Sequence, residues 1–197
     1  MTGIIQKLSF PEPPFDEREI LRYAGVRDDG KDIKGLLCKC LDEVQGMCTF
    51  NVCYRIQDVC VSENTCNFGA FSVKSKSLSE HLKKSTRAVI FAATVGLDLD
   101  RLILKYSKTA PSLALMLQAI GAERIEALCD MFCNKLSEDY HITSRFSPGY
   151  GDLPIEMQKE IFALLDCPKQ IGLTLNDSML MSPTKSVTAI VGISPKE

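Results

Sequence analysis

From Asp32 to Gln45, the residues Ile33, Leu36, Leu37, Cys40, Leu41 and Val44 recur at steps of three, four and seven, the spacing of one face of an α-helix. The same period returns over about Pro111 to Tyr140, where Leu113, Leu117, Ile120, Leu128, Cys129, Phe132 and Leu136 form one stripe and predict a long helix. Residues 87–95 (RAVIFAATV) are apolar almost throughout, which predicts a central strand covered on both faces. Gly96 ends it, and a helix follows across Asp98–Ser107. Residues 49–62 and 67–74 read as two strands around the polar turn Glu63–Thr65. Asp16 followed by Glu19 is a capping-box-like start for a short helix through Tyr23, and Ser77 with Glu80 opens another that ends near Lys84. Residues 1–15, punctuated by Pro11, Pro13 and Pro14, read as an extended arm, and 25–30 as a polar turn. Residues 141–153 read as a loop, Pro154–Leu165 as a helix and Ser186–Ile193 as a final strand. Helices mixed with a few strands predict an α+β fold rather than alternating βαβ units. The expectation is a single domain over 1–197, with an antiparallel or mixed sheet and several helices including the long one. Its N-terminal helix and hairpin part covers 1–86 and the remainder 87–197.

Composition narrows the function classes. The 197 residues are 45% hydrophobic and 24% charged, enough for a sizeable core. With 23 Lys+Arg against 25 Asp+Glu, the net charge of −2 excludes nucleic acid as the main partner, because phosphate binding needs a basic surplus. No apolar run reaches the roughly 18–20 residues of a membrane span, and MTGIIQKLSF has no charged n-region leading into an apolar stretch. A cytoplasmic protein without a membrane partner is expected. Six of the nine cysteines lie between Cys38 and Cys66, without a C-x-x-C step. They read as small buried hydrophobes in a reducing compartment, with metal binding as the lesser alternative.

The common constellations of catalysis are missing: no Walker A, G-x-G-x-x-G, H-E-x-x-H or G-x-S-x-G element occurs. The two histidines, His81 and His141, stand apart in sequence; a solvated surface position accounts for the first and helix-end capping for the second. Any reactivity is therefore expected to come from cofactors. The informative stretch is 145–154 (RFSPGYGDLP), where Ser147-Pro148-Gly149-Tyr150 suits a type II turn that exposes backbone groups and directs Arg145 and Tyr150. An Arg fork there suits a carboxylate ligand, although a structural turn whose Arg pairs with an Asp satisfies the same residues. On the long helix, Glu126 shares a ridge with the small residues Ala119, Ala122, Cys129 and Cys133. A ligand groove and the close approach of another element explain that ridge equally well.

These residues together resemble the activation domain of cobalamin-dependent methionine synthase, which binds S-adenosylmethionine. The resemblance rests on Phe91-Ala92-Ala93-Thr94-Val95-Gly96, on Glu126-Ala127-x-x-Asp130, and on Arg145-x-x-Pro148-Gly149-Tyr150. A tail element, Leu175-Asn176-Asp177-Ser178-x-x-Met181-x-Pro183 with Ser186-Val187, completes it in the family's order. The resemblance implies that Arg145, Gly149, Tyr150, the backbone at Ser147 and Glu126 hold S-adenosylmethionine. Charge complementarity then puts Arg145 on the methionine carboxylate and Glu126 on the amino group or sugar hydroxyls. The turn backbone would read adenine, and Tyr150 would take a positioning role beside the methyl group. No metal ligand is implied.

The activity implied is reactivation of an oxidised corrinoid, in which one-electron reduction is coupled to methyl transfer from the sulfonium. The partners would be a corrinoid methionine synthase protein, which carries the cobalamin, and an electron donor such as flavodoxin or ferredoxin. The chain departs from the larger enzyme in three ways: it has no D-x-H-x-x-G cobalamin signature, no room for folate and homocysteine modules, and no segment after Ile193-Ser194 for a further family Tyr. The family's N-terminal acidic ligand has no motif-matched position, and Asp16 is a guess at it. A free-standing methyltransferase component acting in trans is the expectation. Two alternatives are a non-catalytic S-adenosylmethionine-binding regulator of a corrinoid complex and an interaction domain that has lost the site, the latter opposed by retention of Arg145, Gly149, Tyr150 and Glu126.

Overall fold

The computed structural model describes residues 3–26 and 30–196. In chain order the N-terminal elements are β1 (Gln6–Phe10), α1 (Glu17–Tyr23), α2 (Lys31–Val44), β2 (Phe50–Asp58), β3 (Cys60–Ser62), β4 (Thr65–Asn67), β5 (Ser72–Lys74) and α3 (Lys76–Leu82). There follow β6 (Arg87–Thr94), α4 (Asp98–Ser107), α5 (Pro111–Asp139), β7 (Tyr140–Ile142), α6 (Met157–Leu165), α7 (Cys167–Ile171), β8 (Thr174–Leu175), β9 (Met181–Ser182) and β10 (Ser186–Pro195). The main sheet has the order β1-β2-β6-β10-β7 and is antiparallel at every step.

Strand β6 is the middle of this sheet because both of its faces are apolar. Val89, Phe91 and Ala93 enter a core covered by α1, α2, α4 and α5, while Ala88, Ile90 and Ala92 enter a second core under α3, α6 and α7. Strands β2 and β10 flank it along almost its whole length, from Asn51↔Thr94 to Asp58↔Arg87 and from Ser186↔Thr94 to Ile193↔Arg87. The α5 stripe read from the sequence is buried at every position, and Phe132 packs tilted against Phe91 and Tyr54 with ring centroids 4.9 and 5.1 Å apart. In the first half of the helix, a Cβ at Gly121 would stand 2.7 Å from Lys185 Cε and 2.9 Å from Leu99 Cδ2. A larger residue would have to displace the Leu99 side chain of α4 and the Lys185 side chain of the C-terminal tail.

Several local expectations are corrected. The arm contains an edge strand, β1, which pairs with β2 from Gln6↔Tyr54 to Phe10↔Phe50. Residues 49–62 divide between β2 of the main sheet and β3 of a separate three-stranded sheet with β4 and β5. The cap of α3 is Ser75, whose Oγ accepts from Leu78 N at 3.1 Å, not Ser77. The 141–153 stretch begins inside β7, where His141 pairs with Ser194, and the next helix starts at Met157 rather than Pro154. The short α7 and the β8–β9 hairpin lie in a stretch whose sequence pattern predicts no element. Of the six clustered cysteines, Cys40, Cys53 and Cys66 are buried, Cys48 is half-buried, and Cys38 and Cys60 are exposed. Among the described residues no helix is long and apolar enough to cross a membrane, and no His/Cys/Asp/Glu group is arranged to hold a metal.

Candidate ligand-binding site

After β7 the chain is tied to β10 twice, by Thr143 N donating to Gly192 O and by the Phe146–Ile190 bridge, each bond 2.9 Å long. Phe146 is thereby buried in the second core, which turns its neighbour Arg145 towards α5. The turn that follows has the predicted type II form: Gly149 has φ +88° and Tyr150 N donates to Ser147 O at 3.1 Å. Gly149 N in turn donates to Leu153 O at 2.9 Å. Both amides are therefore used inside the loop, not exposed to a ligand as the bare turn suggests. The ring of Tyr150 is 69% exposed and meets Phe146 edge-on at 5.3 Å.

Two side chains outside the motif hold this loop. Asp152 accepts from Ser75 Oγ at 2.6 Å, Lys76 N at 2.8 Å and Ser77 N at 3.1 Å, so it satisfies orphan amides at the start of α3. Those bonds, led by the one from Ser75, hold its carboxyl well below the usual carboxylate range. His81 Nε2 donates to Ser144 O at 2.8 Å, and its ring lies 5.1 Å from that of Phe146. His81 is thus a half-exposed residue that also supports the loop. Sequence spacing hides both contacts because they join segments more than sixty residues apart.

Arg145 meets the long helix. Its Nη2 donates to Glu126 Oε2 at 2.6 Å and its Nη1 to Asp130 Oδ1 at 2.5 Å, carboxylates one helical turn apart on the same face. Burial opposes the charged guanidinium, yet the bond to Asp130 and the neighbouring Cys129, Glu126 and Asp130 raise its pKa on balance. Burial likewise pushes the thiols of Cys129 and Cys133 up. The groove-or-packing question at Glu126 is thus answered partly by both: Ala119 and Cys129 are buried, while Glu126 itself borders open space.

That space is a groove of about 780 Å³, with the arm and α1 on one side and α5 on the other. The α5 wall includes Glu126, Ala127, Asp130 and Met131; the opposite wall includes Pro13, Phe15, Asp16 and Arg18. Six carboxylates line it (Asp16, Glu17, Glu19, Glu123, Glu126 and Asp130), but Glu123 is paired with Arg124, Glu19 with Arg22, and Glu126 and Asp130 share Arg145. With Arg18 on the wall a modest negative excess is left, which favours a cationic ligand. Arg145 lines a second groove of about 380 Å³ with Cys133, Ser144 and Asp130, and Asp130 is common to both. The structure therefore brings together Arg145, Glu126 and Asp130, and it also places Asp16 on the facing wall. Ser147, Gly149 and Tyr150 line neither groove; they follow Arg145 on the adjoining loop. Asp130 is a partner that the sequence motif contained without a role assigned to it.

With this geometry in hand, the chain can be set beside known proteins. No curated protein matches its sequence. Among solved structures, the crystal structure of the MetH reactivation domain bound to AdoHcy superimposes with a TM-score of 0.72 at 15% identity, covering 99% of this chain and 80% of that one. At that identity the likeness establishes the fold. The sequence profile described as "Vitamin B12 dependent methionine synthase, activation domain" matches residues 72–197, which hold β6, α5, the 145–154 loop and the tail. The chain belongs to the family of vitamin B12 dependent methionine synthase activation domains.

Proposed function

We propose that this chain binds S-adenosylmethionine at the junction of the acidic groove and the Arg145 loop, and that it supports reductive methylation of cobalamin carried by a separate corrinoid methionine synthase protein. The observation that carries the reading is the Arg145–Glu126–Asp130 contact at the rim of a groove of about 780 Å³, a size that accommodates a nucleoside-sized ligand. The amino-acid end of S-adenosylmethionine is a zwitterion. Its carboxylate would replace Glu126 and Asp130 on the Arg145 fork, while its ammonium would take the carboxylates so released. Charge balance is kept throughout the exchange, and no buried charge is stranded. Glu126 is equally suited to ribose hydroxyls, the carbonyls of Ser147 and Gly149 (not the loop's internally bonded amides) to the adenine amino group, and the exposed Tyr150 ring to positioning the methyl group on the side that faces the corrin.

The chain needs no acid–base machinery for such a role. The chemistry supplied by the corrinoid is that of a strongly nucleophilic metal centre once an electron donor such as flavodoxin or ferredoxin has reduced it. What remains for Arg145, Glu126 and the loop is to fix the sulfonium in line and limit water at the junction. The cytoplasm, where those donors and the corrinoid protein would be met, is the compartment that fits this role.

The test is a single-turnover reaction with methyl-labelled S-adenosylmethionine and a reduced corrinoid methionine synthase protein. Label appearing on the corrinoid, and disappearing with Arg145→Ala, is expected. Binding without label transfer would replace this reading with that of a regulator that uses S-adenosylmethionine as a signal.

A further inference from the structure

Glu123 and Arg124 are consecutive on α5, and consecutive helix residues point about 100° apart, so the helix alone gives them no reason to pair. Both are nevertheless buried, Arg124 at 0% and Glu123 at 4% exposure. Arg124 donates from Nε to Glu123 Oε2 and from Nη2 to Glu123 Oε1, each at 2.6 Å. The same guanidinium reaches across to the N-terminal arm: Nη1 donates to Pro13 O at 2.6 Å and Nη2 to Pro14 O at 2.8 Å. The Phe15 ring lies against it, 4.0 Å from the guanidinium carbon to the ring centroid. Glu123 Oε1 also accepts from Asp16 N at 3.3 Å.

The arm is chemically suited to this grip. Two consecutive prolines have no N–H to donate and hold the backbone extended, which leaves their carbonyls free for an outside donor. Asp16 passes the constraint on, since its Oδ1 accepts from Glu19 N at 3.1 Å and so caps α1. A continuous chain of bonds therefore runs from α5 through the buried pair to the arm and on to the first turn of α1. Pro13, Pro14, Phe15 and Asp16 are also one wall of the acidic groove, and Glu126 on the other wall is one turn beyond Glu123. As a source of stability the buried pair is poorly suited, because apolar residues of similar volume commonly replace such pairs at no cost. An apolar pair could fill the same volume, but it could not hold two carbonyls and an amide in place.

The geometry points to Glu123 and Arg124 as positioning residues that set the separation of the groove walls and thereby the affinity for the sulfonium nucleoside. This inference rests on the groove being the S-adenosylmethionine site. The discriminating variant is the double substitution Glu123→Leu with Arg124→Met, which strands no charge and preserves packing volume, with Arg124→Lys as the conservative companion. Each is titrated with S-adenosylmethionine well below its unfolding temperature, and amide exchange is followed at Asp16 and Glu19. The double variant is expected to stay folded, to exchange faster at both amides, and to bind at least tenfold more weakly; Arg124→Lys falls between it and wild type. A folded double variant with wild-type affinity overturns the positioning role and leaves the ligand assignment standing. Absence of binding by the wild type itself overturns the ligand assignment, and the positioning role with it.

Discussion

Replacing Arg145 with alanine separates a binding residue from a structural one. In the structure Arg145 is 26% exposed and bonds to two carboxylates, Glu126 at 43% and Asp130 at 67% exposure. Pairs this open to solvent are screened, and each contributes about 0.2–1 kcal/mol. The substitution also leaves Glu126 and Asp130 facing each other one turn apart, a like-charge pair that costs a few tenths of a kcal/mol more. The expected loss of stability is about 0.5–1.5 kcal/mol, or roughly 1–6 °C in Tm for a chain of this length. The expected loss of S-adenosylmethionine affinity is larger, about 1.5–3 kcal/mol, since a charge-assisted forked contact to the ligand carboxylate goes with it. That corresponds to a Kd roughly 10- to 150-fold weaker. Thermal unfolding and calorimetric titration on the same preparations measure both, with Arg145→Lys expected between the two because it keeps the charge and loses the fork. An unchanged Kd would refute the assignment of Arg145 to the site. A stability loss above about 4 kcal/mol would make it a buried structural residue instead.

Three further outcomes follow from the same geometry. The depressed pKa of Asp152 adds stability that is fully present above the ordinary carboxylate pKa near ~3.9 and is lost as pH falls below it, so Tm should drop more steeply towards acid in the wild type than in Asp152→Asn; parallel Tm–pH curves would contradict this. Gly149→Ala forces a side chain to φ +88° and brings a Cβ to 3.2 Å from Ile155 Cδ1, so urea unfolding should show a loss of about 1–2 kcal/mol, and a neutral result would deny the type II turn. Burial pushes the thiols of Cys40 and Cys48 up to about 11, so iodoacetamide at pH 8 followed by peptide mapping should find the exposed Cys38 and Cys60 alkylated first; early labelling of Cys40 would contradict the burial.

Local chemistry is what the sequence displayed well. The all-apolar 87–95 run becomes β6 at the sheet centre, the 3.6-residue stripe becomes α5, and Asp16 accepts from Glu19 N as the capping-box spacing requires. The Pro-Gly pair at 148–149 likewise specifies its own turn. What escaped depends on contacts between distant segments. Residues 174–182 form a two-residue-per-strand hairpin, too short for any period to register. Ser75 rather than Ser77 caps α3 because Asp152, far along the chain, occupies the amides there. The meeting of Arg145 with Glu126 was foreshadowed only by the family motif, since nothing in a helix stripe says which loop will face it. The grip of Arg124 on Pro13 and Pro14 carries no sequence signal, because residues i and i+1 of a helix are not expected to cooperate.

The central claim, that a sulfonium nucleoside lies between the N-terminal arm and the long helix, is tested most directly by amide chemical-shift mapping during titration with S-adenosylmethionine. Saturable shifts concentrated at residues 13–19, 126–134 and 144–150 are the predicted result. Shifts confined to the far end of β2 and the small sheet, or none at ligand concentrations that saturate related domains, would contradict it.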